Sequence, residues 1–255
     1  MKKQTLIRWL GRSLLVVLVI AGLFATTGFA QPMPKITVGI DKAQKPQDVA
    51  VTIEILFLLT ILTLAPAFMI LVTSFTRIIV IFHFLRQALG LQQMPPNQVL
   101  IGLALFLTFF VMNPVLRQIN DDALQPYTKE QISYDEAFKK GVEPLRTFMM
   151  KQTREKDLAL FVSLSRGSKP QNASEIPTHV LIPAFVVSEL RIAFQIGFLL
   201  YIPFLVIDVI VASVLMSMGM LMLPPVMISL PFKILLFVLV DGWYLVVGSI
   251  VRSFA

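Results

Sequence analysis

The chain has 255 residues, 56% of them hydrophobic and only 15% charged, with a mean hydropathy of +0.78. That balance excludes an ordinary soluble domain and indicates a lipid-embedded protein. The formal charge of +7 is no nucleic-acid signal, because Lys2, Lys3, Arg8 and Arg12 supply four of the seven, and the absence of cysteine removes disulfides, thiolate metal sites and a cysteine nucleophile.

Taken in chain order, Lys2 to Arg12 form a basic segment, Leu14 to Phe24 an apolar run and Gly28-Phe29-Ala30 a small-x-small site. This is the pattern of a cleaved signal peptide over residues 1–30, which predicts a mature chain starting at Gln31 on the periplasmic side. The apolar run falls short of the ~20 residues of a spanning helix, which argues against an uncleaved anchor. A short polar segment, 31–51, follows. Residues 52–116 then read as a first hydrophobic helical hairpin. An uncharged run from Ile55 to Thr76 and another from Asn97 to Leu116 are each long enough to cross a bilayer. Between them lies a half-polar connector with Arg77, His83, Arg86 and Pro95-Pro96.

Residues 117–182 change character, with ten Lys or Arg against nine Asp or Glu. They predict a small helical insertion, placed in the periplasm by signal cleavage plus two spans and too long for its basic residues to decide the side. Ser133-Tyr134-Asp135-Glu136 is a capping box. Leu145, Phe148, Met149, Leu158, Phe161 and Leu164 read as its buried stripe, broken at Pro144 and at Arg166-Gly167-Ser168.

From 183 to 255 the chain is apolar again, but Glu189, Arg191, Asp208, Lys233 and Asp241 interrupt it and Pro203, Pro224, Pro225 and Pro231 punctuate it. Two spans are the plain reading. An ionised side chain near a bilayer centre costs about 2.5–3.5 kcal/mol or more, so these charges must be paired, hydrated or held outside lipid. There is also an internal echo: Pro66-Ala67-Phe68 precedes Pro95-Pro96 as Pro183-Ala184-Phe185 precedes Pro224-Pro225. The fold class expected is all-α, a polytopic membrane protein of kinked helical hairpins with a helical periplasmic insertion. His83 and His179 have no metal-ligand spacing, and no nucleophile elbow, P-loop or dinucleotide fingerprint is present. No catalytic residue, cofactor or metal is expected.

Three stretches carry a resemblance. Phe75-Thr76-Arg77-Ile78-Ile79-Val80 with Leu85-Arg86-Gln87-Ala88-Leu89-Gly90 and Pro95-Pro96-Asn97-Gln98-Val99-Leu100-Ile101-Gly102 form the first. Pro183-Ala184-Phe185-Val186-Val187-Ser188-Glu189-Leu190-Arg191 and Asp208-Val209-Ile210-Val211-Ala212-Ser213 through Pro224-Pro225 are the others. Together they resemble the FliP family of flagellar export-gate membrane proteins, in family order.

The resemblance implies a homo-pentamer that joins FliQ, FliR and other flagellar export membrane proteins in the inner membrane, at the flagellar basal body. Unfolded flagellar substrates would pass through the centre of this gate. The injectisome relatives usually lack a cleaved leader, so the leader here favours the flagellar branch.

Met216, Met218, Met220 and Met222 recur at i, i+2 before the double proline, a spacing that is not a helix stripe. Read alone they are gap-filling core residues; the family resemblance makes them, with Leu221 where another methionine is expected, a methionine-rich loop constricting the pore. Glu189 and Lys233 are the expected charge pair, since an isolated buried charge is costly, and the resemblance implies that they meet between neighbouring subunits. Arg77, Arg86, Arg191 and Asp208 are further intramembrane charges, with partner binding open for Arg191 and Asp208. The rival readings are an ion or small-solute transporter relaying through Arg77, Glu189 and Asp208, and an embedded hydrolase, for which no nucleophile and base are visible.

Overall fold

The computed structural model describes residues 46–165, 172, 175–220 and 222–254. The expected leader, residues 31–45, the break at Arg166-Gly167-Ser168 and Leu221 lie outside the described residues.

Among the described residues every regular element is helical. They are α1 (Pro46–Leu71), α2 (Phe75–Ala88), α3 (Asn97–Ile119), a π-turn (Asn120–Leu124), α4 (Gln125–Thr128), α5 (Tyr134–Gln152), α6 (Glu155–Leu164), α7 (Thr178–Ser217), α8 (Pro225–Leu239) and α9 (Gly242–Arg252). Three stretches are long and apolar enough to cross a membrane: Ile53–Leu71, Asn97–Thr128 and Thr178–Ser217. α8 and α9 together would make a fourth, bent by 66°. The protein is therefore an all-helical membrane protein. The bend is tight because Asp241 takes a left-handed conformation (φ 51°) and Gly242 lies against the Phe237 ring, where a Cβ would come within 2.2 Å.

The compact body runs from Leu56 to Ala255, and its core is built around α2. Apolar residues at helical spacing put Phe75, Ile78, Ile81, Phe82, Leu85 and Ala88 on a broad buried face. α3, α7 and α8 cover it, with Phe84 meeting Phe194 edge-on at 5.0 Å. Gly197 permits this approach, since a Cβ there would lie 2.6 Å from the Phe84 ring.

Two helices end in the same device. Gly90 (φ 76°) closes α2, its N–H donating to Gln87 O (3.0 Å) while Leu91 N–H donates to Arg86 O (3.2 Å). Gly219 (φ 75°) closes α7 identically, with Gly219 N–H to Met216 O and Met220 N–H to Leu215 O, both 3.0 Å. This is the Schellman pattern, in which glycine takes the left-handed position without a Cβ penalty. In each case a double proline then opens the next helix, its missing N–H falling where no intrahelical partner exists. The echo thus holds at Gly90/Pro95-Pro96 and Gly219/Pro224-Pro225. Its other half, Pro66-Ala67-Phe68 and Pro183-Ala184-Phe185, lies inside a helix in both cases, within α1 and α7, the second among buried residues that begin at Val180.

Several expected boundaries move. The first apolar run splits: α1 ends at Leu71 and Thr76 already belongs to α2. α3 continues through the π-turn and α4 to Thr128, and residue 182 falls inside α7. α7 runs 40 residues through Pro183 and Pro203, one helix where the sequence showed no clean one, because neighbouring helices can offset the single donor that each proline removes. Pro144, read as a break, is buried inside α5. Of the predicted stripe, Phe148 and Met149 are buried and Leu145, Leu158 and Phe161 pack on the core, whereas Leu164 is exposed. Ser133 does cap α5, accepting from Glu136 N–H at 3.3 Å, while the Glu136 carboxylate turns to Lys140 (2.9 Å).

Candidate functional site

The charges that interrupt the apolar sequence collect into two polar nodes. The first centres on Arg77, on the buried face of α2 and wholly shielded from solvent. Its five donors are all used. Nε–H donates to Glu189 Oε2 at 2.9 Å and Nη2 to Glu189 Oε1, a bidentate pair. Nη2 also donates to Gln152 Oε1 (3.0 Å), and Nη1 to Ser253 O (2.7 Å) and Ser253 Oγ (3.1 Å). The Phe254 ring lies 3.8 Å from the guanidinium carbon, and Gln152 Nε2 donates to Phe254 O at 3.0 Å. One arginine thereby ties α2, the end of α5, α7 and the residues after α9.

The second node sits where α7 and α8 meet the end of α2. Lys233 Nζ, 2% exposed, donates to Asp208 Oδ2 at 2.6 Å and to the Ala88 carbonyl at 3.1 Å. The Ser229 hydroxyl, also buried, donates to the other Asp208 oxygen. Ala88 lies at the end of α2, so its carbonyl has no following turn to bond and takes the ammonium instead.

Glu189 and Lys233, expected to meet between neighbouring subunits, each have an intrachain partner: Arg77 for Glu189 and Asp208 for Lys233. The physical reason is placement. Glu189 lies on the half of α7 packed beside the start of α2, and Lys233 on α8 beside its end, so each takes the opposite charge nearest to it. Arg191, on the outer side of α7, reaches the buried Asp157 at 3.5 Å. Arg86 donates to Asn97 Oδ1 (2.6 Å), to Pro95 O (3.4 Å) and to His83 Nδ1 (3.1 Å). Partial burial, then the Arg86 charge, hold the His83 pKa below its ordinary value.

Beyond Asp208, α7 continues nine residues to Ser217, ~14 Å at 1.5 Å per residue, alongside α8. An apolar groove of about 460 Å3 runs between the two, walled by Ile210, Val214, Ile228 and Phe232. The Gly219 turn at the tip carries the methionines. Met216, Met218, Met220 and Met222 are all exposed, Met222 at 98%. Four thioethers on a short turn can repack around varied surfaces without choosing one side chain.

Sequence reasoning did not find Gln152, Ser188, Ser229, Ser253 or Phe254. Ser188 Oγ accepts from Arg154 N–H at 3.0 Å, locking the α5–α6 corner to α7. No local spacing marks these residues, because their partners lie 34 or more positions away in all cases but Ser229. Arg77 had a readable signal, since a helical wheel of 75–88 places it on the apolar face, where it needs a carboxylate.

The sequence matches the model of the FliP family over residues 58–250. It is 57% identical over 217 residues to the flagellar biosynthetic protein FliP of Bacillus subtilis (strain 168), covering 85% of this chain and 98% of that protein. With the protein of the same name from Pectobacterium carotovorum it shares 56% identity over 208 residues, 82% of this chain and 81% of the other. The Treponema denticola relative is 46% identical over 224 residues, 87% and 83% of the two chains. The chain belongs to the FliP family.

Proposed function

We propose that this FliP-family chain is a pore-forming core subunit of the flagellar type III protein export gate, conducting unfolded flagellar proteins across the bacterial inner membrane. Its place is the flagellar basal body, as a homo-pentamer with FliQ and FliR, with residues 117–182 on the periplasmic side. It performs no catalysis, and other components supply the energy.

The observation that carries this reading is the tip of the α7–α8 hairpin, where four methionines stand exposed around a glycine turn. A ring of such tips closes a pore against ions and water with flexible, polarizable side chains, and yields to any passing sequence. The base of each hairpin is held by Lys233, Asp208 and Ser229, which anchor its root. Glu189 and Lys233 serve here as anchors of two intrachain bridges that shape the subunit for ring assembly.

The test is the mass of the detergent-solubilised particle after co-expression with FliQ and FliR, followed by ion conductance of the same particle in liposomes. A closed ring that becomes leaky when Met216, Met218, Met220 and Met222 are replaced by alanine supports the gate. A lone monomer or dimer that conducts ions by itself overturns it in favour of a transporter.

A further inference from the structure

An apolar cavity of about 400 Å3 opens beside the end of α2. Phe82, Leu85, Leu100, Phe237 and Trp243 wall it, and its size falls within the range of small-molecule sites. One charge stands at its rim, Arg86.

Arg86 is held in place but not neutralised. Asn97 Oδ1 and Pro95 O fix Nη1, and His83 Nδ1 accepts one Nη2 hydrogen. Its Nε–H and the second Nη2 hydrogen have no acceptor among the described residues, and no carboxylate there pairs with it. A guanidinium so oriented presents a fork suited to a phosphate oxygen. Trp243 edges onto Phe82 and Phe237, and its indole N–H likewise has no acceptor among the described residues. That is the amphipathic placement tryptophan takes where apolar chains meet polar heads.

Position identifies the occupant. Arg86 is bonded to Asn97, the first residue of the span-length α3, so it lies at headgroup depth, while Leu100, one turn further in, already walls the cavity. Exposed Met94 and Val238 line the cavity, so it opens onto surface of lipid-facing character. We propose that it binds an acyl chain of one anionic phospholipid, whose headgroup phosphate is held by Arg86.

Trp9 and Trp243 are the two tryptophans of the chain, which gives a direct readout. The full chain carrying Trp9→Phe is placed in phosphatidylcholine nanodiscs containing increasing fractions of phosphatidylglycerol brominated along its acyl chains, and Trp243 fluorescence is followed. Quenching is expected to saturate, with half-saturation at a mole fraction roughly tenfold below that for brominated phosphatidylcholine. Arg86→Gln should erase the headgroup preference. Because that change also removes a bond to Asn97, Val238→Phe is the second variant: it narrows the cavity without touching Arg86 and should abolish the saturating component. Equal quenching by both lipids, rising linearly with mole fraction, would mean bulk lipid only and overturn the proposal. Loss of quenching when partner subunits are co-purified would assign the cavity to a protein segment and overturn it equally.

Discussion

The two halves of α7 are alike in composition and opposite in circumstance. From Thr178 to Gly197 the helix buries Val180, Leu181, Ala184, Phe185, Ser188, Glu189, Ala193 and Gly197, and holds one end of the Arg77 node. From Phe198 to Ser217 it buries only Phe204 and Leu215, shows its remaining apolar surface, and ends in the methionine turn. The first half is a keel fixed by packing and charge; the second is a lever with a fixed root and an open tip. Buried polar residues in both halves are paired: Glu189 with Arg77 and Ser188 with the Arg154 N–H in the first, Asp208 with Lys233 at the root of the second.

The sharpest way to break this contrast is Arg77→Ala. It strands Glu189 in a buried site, a change that costs about 3–5 kcal/mol, so the purified chain should lose its cooperative unfolding transition in detergent. Arg77→Met combined with Glu189→Met should cost less than Arg77→Ala, because apolar groups of similar volume carry no desolvation debt. Unchanged thermal unfolding in the alanine variant would show that the keel does not depend on this node.

Gly197→Ala tests the same half by volume. Its Cβ would meet the Phe84 ring at 2.6 Å, and overpacking of this kind costs about 1–3 kcal/mol. Adding Phe84→Leu should recover most of the loss, since the double variant removes the clashing ring; strictly additive losses would mean that the two residues do not meet.

The lever should respond in the opposite sense. Met222→Ala and Met218→Ala, at exposed positions, should leave unfolding within about 0.5 kcal/mol of the parent, yet raise ion leak through the assembled particle. A large stability loss would place these side chains in a packed core and remove the distinction between the halves.

The smallest effect lies outside both halves, at His83. Burial and then Arg86 lower its folded pKa, so the unfolded chain binds this proton more readily. The associated stability is present above the ordinary histidine pKa and is lost as pH falls through the lowered folded value. His83→Gln should flatten that part of the stability-versus-pH curve, read by thermal unfolding between about pH 5 and 7.

Much of the architecture was legible in the amino-acid sequence. Uncharged runs of span length gave α1 and α3, and the serine of a capping box gave the start of α5, whereas the glycine turns at Gly90 and Gly219 before the double prolines emerged only in the structure. Pro183 and Pro203 misled, because a proline breaks a helix only when nothing else supports the turn. Glu189 and Lys233 were expected to meet between neighbouring subunits; their partners within the chain were out of reach. Arg77 is 112 positions from Glu189, and Asp208 competes for Lys233 from 25 positions away.

By itself the sequence determined the class of the molecule, its membrane character and its family, because hydropathy acts through the local backbone and the family's motifs are runs of consecutive residues. The tertiary structure alone decided the charge pairing, the closure of the chain's end onto Arg77 and the cavity beside Arg86. Each of those depends on which helix faces which, and the contacts that settle it join residues far apart along the chain.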